Sequence, residues 1–396
     1  MLATTPAAGK WGTMEGPATT DSGDDDDSMG DGATVKPRWV NKALAACALG
    51  AGLFALGVVD ATPAAADGTG PSRYESVIDD VQPDLDEVEV EIVGGDAFFQ
   101  VTADEGTEVA IDGYDGEPYL RIDADGTVFE NTRSPAAYMN QTRNGTGDRF
   151  PDEVSSKAEP VWEEVGSGGT VAWHDHRIHW MLDEDPMVGA DGVVQEWVLP
   201  LDVDGTEVEV TGRLLLKGSI VPWAAAVAVA AAGASVLVGR STRGRLAVLG
   251  AASLVATVTA VAAFSVNPPR AGASVIPIAL PLIAVVCVAG AVLWERAWAK
   301  GRSRGRILAL ALPLAAVAAL LGWVVQRVGV FWMWTVPTAM PMWLDRALTG
   351  AVAGAAIGTA IAVLLRPVAH PSAMDPSGSA PSGHDSSTGR SPSPQS

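Results

Sequence analysis

After residue 218 the chain becomes a series of apolar runs separated by charged connectors, and this pattern constrains its fold more than any other feature. Five uncharged runs follow: Ile220–Gly239, Leu246–Val266, Val275–Trp294, Ile307–Val325 and Ala347–Leu365. Each approaches the ~20 residues that an α-helix needs to cross a bilayer. Arg240, Arg243 and Arg245 fill the first connector, and Arg296, Lys300, Arg302, Arg304 and Arg306 fill the third. The second holds only Arg270. Positive charge concentrates on the cytoplasmic side of membrane proteins, so the first and third connectors are expected inside. Residues 67–217 are then outside, and the tail after residue 366 is cytoplasmic. Residues 218–366 are read as a five-span helical bundle in the plasma membrane. No run contains a charge or a histidine, which argues against a pump or ion-coupled transporter. Passive transport through the bundle is a weaker alternative.

The formal charge of −21 lies almost wholly in the first half, because the membrane half is rich in arginine. An acidic exterior argues against nucleic acid as a partner. The two cysteines, Cys47 and Cys287, both fall in apolar segments. The outer region therefore has no disulfide and must be stabilised by a core, which ~150 residues can supply.

Residues 1–35 are polar, carry the run Asp24–Asp27, and are expected to be a disordered acidic segment. Residues 36–66 resemble a secretory signal: Lys36, Arg38 and Lys42, then the apolar stretch Ala43–Val59, then Ala64-Ala65-Ala66. Cleavage after Ala66 is the first expectation, and an uncleaved anchor is the alternative. Met29 is a second candidate start. Residues 367–396, rich in Ser, Pro and Gly, are expected to form a disordered cytoplasmic tail.

Residues 67–217 read as β. Glu87–Val93 and Phe98–Thr102 flank Gly94-Gly95, and Val193–Leu201 and Thr206–Leu216 flank Asp204-Gly205. Both are hairpin signals. Glu108–Ile111, Tyr119–Ile122 and Thr127–Glu130 add short strands. The expected fold is an all-β extracytoplasmic sandwich, immunoglobulin-like in its spacing of strands and turns. Residues 131–169 show no clear period and are expected to form a long loop, either functional, as long loops in compact domains often are, or a disordered excursion.

Three of the five histidines fall within Trp173-His174-Asp175-His176-Arg177-Ile178-His179-Trp180-Met181. On an extended strand His174 and His176 would share one face. Two imidazoles on one face suit copper or zinc, and a thioether favours Cu(I). His174 and His176 are the candidate first ligands, with His179 or Met181 in support and Asp175 as an orienting group. The connector between the fourth and fifth runs carries Met340 and Met342 among several tryptophans, and these are further candidates for copper. The competing reading makes the histidine block a structural network and the tryptophans interfacial anchors. No catalytic set stands out.

The His174-Asp175-His176 step is similar to one copper motif of multicopper oxidases, but the other His-rich motifs of that family are missing. The cupin pattern of His-x-His followed by Glu is not reproduced, since Trp180 and Met181 stand at or next to the Glu position. Three longer blocks, Gly113–Arg121, Asn131–Tyr138 and Trp173–Met181, together resemble an uncharacterised group of actinobacterial envelope proteins. The resemblance implies a secreted β domain joined to a membrane region and implies no substrate. The sequence thus leads to a non-enzymatic binding or scaffolding protein of the cell envelope. Copper handling is the alternative. Its partners are the membrane, and either other envelope proteins or a second copy through the Gly350/Gly354/Gly358 face, whose spacing permits close helix packing, by default within the bundle.

Overall fold

A computed structural model describes residues 68–141, 143, 150–182, 184–268, 271–300 and 306–365. The acidic segment, the signal-like segment and the tail lie outside the described residues. Among the described residues two parts follow in order: an antiparallel β domain, and a helical bundle with four helices long and apolar enough to cross a membrane.

The β domain contains ten strands: β1 (Tyr74–Gln82), β2 (Val88–Val93), β3 (Phe98–Ala103), β4 (Val109–Asp112), β5 (Pro118–Ile122), β6 (Val128–Asn131), β7 (Trp162–Gly166), β8 (Thr170–Trp173), β9 (Val193–Val203) and β10 (Thr206–Leu216). A seven-stranded sheet runs β1-β10-β9-β4-β5-β6-β7, and a three-stranded sheet runs β2-β3-β8. Both hairpins form where their turn residues predict. Asp204 and Gly205 both have positive φ, 51° and 80°, which a tight two-residue hairpin turn requires. Alternation along β9 and β10 puts Trp197, Leu199, Leu201, Val208 and Val210 into one core with Phe99 and Val101 of β3, Ile111 of β4 and Trp173 of β8. Gly212 lies opposite Trp197, and a Cβ there would stand 2.2 Å from the indole. The missing side chain lets the ring cross β10, where its Nε1 donates to Ser76 Oγ at 2.8 Å.

The stretch 131–169 is not one long loop. It contains a short helix, α1 (Pro135–Met139), and then β7. Ser134 caps α1 by accepting from Ala136 N at 3.1 Å, and Pro135 stands at its first position. Proline there loses no hydrogen bond and already has helical φ.

The bundle comprises α2 (Trp223–Val238), α3 (Thr242–Phe264), α4 (Ile276–Ala299), α5 (Arg306–Gln326) and α6 (Met342–Leu364), with a 3₁₀ turn at Val328–Phe331. α3 to α6 are the four membrane-length helices, and α2 has 16 residues. Pro281 and Pro313 lie inside α4 and α5. Gly350, Gly354 and Gly358 of α6 face α2 of the same chain: a Cβ on each would come within 2.4, 2.1 and 2.3 Å of the carbonyl oxygens of Ala224, Ala228 and Ala232. Side chains such as Val229, Leu254, Val286, Leu293 and Leu364 point outward, as expected of lipid-facing positions.

The charged residues flanking the last connector are buried. Arg327 reaches Asp345 Oδ1 at 2.5 Å, and Thr349 Oγ1 donates to the same oxygen at 3.2 Å. Arg346 donates to the carbonyls of Val330 (2.5 Å), Met333 (2.7 Å) and Trp334 (2.7 Å). One side chain thus ties together three carbonyls of the α5–α6 connector. That connector carries the β domain. Ser72 and Thr335 exchange backbone hydrogen bonds at 3.1 and 2.9 Å. Ser219 pairs with Met333, and Thr69 N donates to Asn267 Oδ1 of the α3–α4 connector at 2.7 Å.

Candidate functional site

β8 ends at Trp173, and the histidine block after it is a compact turn rather than a strand. This corrects the expectation that His174 and His176 share one face of an extended strand. Asp175 is the cause. Its carboxylate is fully buried and accepts from Trp173 Nε1 (2.9 Å) and from the backbone N (2.9 Å), Nε (2.7 Å) and terminal nitrogen (2.6 Å) of Arg177. An aspartate accepting from the backbone N–H two residues on closes a turn. Ile178 N donates to Asp175 O at 3.1 Å and completes it. Burial pushes the Asp175 pKa up, but the hydrogen bonds and charge of Arg177 and the Trp173 indole outweigh it, so the net shift is downward. Asp175 is therefore an ionised structural anchor.

Each histidine has a distinct setting. His174 is buried, stacks on Phe98 with ring centroids 4.0 Å apart, and places Nδ1 2.7 Å from Ala97 O. A carbonyl only accepts, so Nδ1 carries the proton. His179 is fully buried and donates from Nε2 to Arg143 O. Its Nδ1 then carries a lone pair, and this buried atom meets no hydrogen-bond partner among the described residues. Burial, with smaller contributions from the positive charge of Arg143 and from His176 and His174, depresses the His179 pKa to about 3. His176 is half-buried, with its ring 5.8 Å from that of Tyr114. The His176 and His179 rings are 5.4 Å apart, and those of His174 and His179 are 6.5 Å apart.

The three sequence blocks interlock around this turn. Tyr114 OH donates to Asn140 Oδ1 at 2.5 Å and accepts from His176 N at 2.9 Å, while Arg177 lies 5.1 Å over its ring. Burial, then the Asp175 charge, raises the Tyr114 pKa, so the phenol stays protonated. Glu117, also buried, accepts from Ser134 Oγ (2.8 Å), Asp115 N (3.0 Å) and Ala136 N (3.4 Å). Asn131 donates to Pro118 O at 2.7 Å and accepts from Arg133 N and Val161 N, both at 3.0 Å. Every one of these polar groups replaces water with a protein partner, as burial demands.

Among the described residues no three His, Cys, Asp or Glu side chains are arranged to hold a metal ion. Met181 is half-buried beyond the turn. Met342, at the start of α6, lines a cleft of about 590 Å³ with Glu91, Gly95 and Asn267. Met340 is half-buried in the connector before it. His174 lines a different and larger cleft, of about 950 Å³.

This larger cleft lies between the two sheets, where β7 and β8 diverge from the turn 167–169. Tyr119 and Leu120 of the first block, Ala137 of the second, Asn140 just after it, and Trp173 and His174 of the third all line it. Among the described residues, Glu130 of β6 and Glu164 of β7 are its acidic lining residues, and Ala271 and Gly272 reach it from the α3–α4 connector. Sequence reasoning missed β7 and β8, which frame the cleft. Ser134-Pro135, a cap followed by proline, was the available signal for α1. No family model matches the chain. No curated protein and no solved structure gives a significant match either.

Proposed function

We propose that the chain is a membrane-anchored envelope protein whose exported β domain is a non-enzymatic binding module, with the cleft between β7 and β8 as its contact site. One observation carries this reading: side chains from the first and third blocks, together with Ala137 of the second, line that single cleft. Their buried hydrogen bonds fix its walls, and a preformed wall lowers the entropic cost of binding. The anchored half is read as five spans. α2 is short, ~24 Å at 1.5 Å per residue, yet it starts beside the α5–α6 connector, where Ser219 pairs with Met333. It ends where Arg245 donates to Gly239 O at 2.9 Å, at the first turn of α3. That path supports a full crossing, and the arginines at its far end support an external β domain. The test is a photo-cross-linking residue in living cells at Ser167, on the cleft rim, against the same residue at Glu207 in the distant β9–β10 hairpin. The reading predicts a discrete adduct at Ser167 alone. No adduct there, or equal adducts at both positions, contradicts it.

A second reading has its own support. The His179 ring, whose buried Nδ1 has no hydrogen-bond partner among the described residues, lies 5.4 Å from the His176 ring and 6.5 Å from the His174 ring, and imidazole nitrogens suit copper or zinc. Titration of the full chain with Cu(II), Cu(I) and Zn(II), followed by metal analysis after dialysis, tests it. Stoichiometric uptake that His179→Ala abolishes supports the site. No retained metal removes it.

A further inference from the structure

The smaller cleft, of about 590 Å³, lies where the β domain meets the bundle, and its size is in the range of ligand pockets. Its walls come from two levels. Glu91 of β2 and Gln100 of β3 stand on the β-domain side. Val266 just after α3, Val336 in the α5–α6 connector and Met342 at the start of α6 stand on the bundle side. The Gly94-Gly95 turn forms part of one wall. Both glycines have positive φ, 77° and 88°, and a Cβ on Gly95 would stand 2.7 Å from Thr335 of the connector. Ala339 N donates to Ala262 O at 3.0 Å and fixes the same connector to the last turn of α3. These close approaches hold the cleft in shape.

Two hydroxyls in the lining keep hydrogen-bonding capacity among the described residues. Thr338 Oγ1 accepts from Met340 N at 3.4 Å, which leaves its proton to donate. Ser265 Oγ donates to Ala262 O at 3.0 Å, which leaves its lone pairs to accept.

Ser265 also connects the cleft to the lipid-facing surface. Val261, Val258 and Leu254 precede it along α3 at helical spacing, so all four share one face. The three apolar side chains are 50, 61 and 61 % exposed. From residue 265 to 254 the stripe runs ~16 Å at 1.5 Å per residue. That is about half of a ~30 Å hydrocarbon core, the depth of one leaflet. The exposed Trp343, next to Met342 at the mouth, belongs at the head-group level, where tryptophan is enriched. Polar groups thus stand above an apolar track, in the order in which a lipid presents its own parts.

We propose that this cleft binds one phospholipid from the leaflet on the β-domain side. Its head group meets the hydroxyls of Ser265 and Thr338, and one acyl chain lies along Val261, Val258 and Leu254. The site is independent of the β7–β8 contact site and rests only on the bundle lying in a membrane.

The full chain, stripped of lipid in detergent micelles, is titrated with dioleoylphosphatidylethanolamine and read by native mass spectrometry. One tightly retained lipid per chain is expected. Ser265→Trp and Met342→Trp fill the cleft from exposed positions, where the fold tolerates them, and each should weaken retention at least tenfold. Thr338→Val, which keeps the shape and removes the hydroxyl, should weaken it severalfold. Val286→Trp, at an exposed position of α4, should leave it unchanged and separates this site from lipid that coats the bundle nonspecifically. No retained lipid, unchanged retention across the cleft variants, or equal loss in Val286→Trp overturns the site. A dimer without bound lipid also overturns it, because a second copy would then cover the stripe.

Discussion

Asp175 and His179 are the residues on which the histidine turn depends, and both give it a pH dependence of the same sign. The Asp175 carboxyl lies below its ordinary value of 3.8 in the folded protein. Its contribution is complete above that value and is lost as pH falls through the folded pKa. Removing one partner of a buried ion pair costs about 3 kcal/mol or more. Asp175→Asn should therefore lower the thermal midpoint of the β domain by many degrees, read from tryptophan fluorescence of the full chain in detergent. An unchanged midpoint would mean that the turn does not depend on this anchor. His179 acts over a higher range. Its folded pKa is depressed from 6.5 to about 3, so the unfolded chain binds an extra proton between those values. Stability falls as pH drops below 6.5, by up to about 1.4 kcal/mol per unit for one such group. A midpoint that declines from pH 6.5 to 5 in the wild type, with a shallower decline in His179→Asn, is the expected result. Parallel curves would show that His179 is not the buried neutral group described here.

At the scale of elements, the closest helix packing is that of α6 on α2. Gly354 leaves no room for a Cβ, since one would stand 2.1 Å from Ala228 O and 2.7 Å from Ala231 Cβ. Gly354→Ile should separate the two helices and lower the unfolding temperature in detergent. A cysteine placed at Ala228 should become reactive to thiol reagents in that variant and stay protected in the wild type. Continued protection would contradict the packing. The glycine spacing was legible in the sequence, as were the two hairpins with their Gly-Gly and Asp-Gly turns, because each signal is local. β7 and β8 were not legible. They are 5 and 4 residues long, and their burial does not alternate cleanly. The histidine block misled for a related reason. Its spacing suits a strand, but Asp175 satisfies its own neighbours' donors and bends the chain. The Asp-x-Arg step was the only trace of this in sequence. The meeting of the three blocks was not readable at all, since it depends on contacts such as Tyr114 with His176, 62 residues apart.

On the scale of the whole molecule, the β domain is fixed to the bundle rather than tethered. Arg346 holds the α5–α6 connector through three carbonyls, and Thr335 of that connector pairs with Ser72 and donates to Tyr74 O at 3.3 Å. Arg346→Gln should leave those carbonyls underbonded and loosen the connector. Limited proteolysis should then cut between residues 330 and 340 faster than in the wild type, while the β domain keeps its own unfolding temperature. Equal cutting would show that the connector does not depend on Arg346. A rigid junction keeps the β7–β8 cleft at a constant height near the bilayer, where Ala271 and Gly272 of the α3–α4 connector reach it. We propose that an envelope partner occupies this cleft. The most direct measurement is amide hydrogen exchange of residues 165–173, compared between the full chain in native membrane vesicles and the same chain purified in detergent. Slower exchange is expected in the native vesicles, confined to β8 and the cleft rim, with β2 unchanged. Equal exchange in both preparations would contradict it.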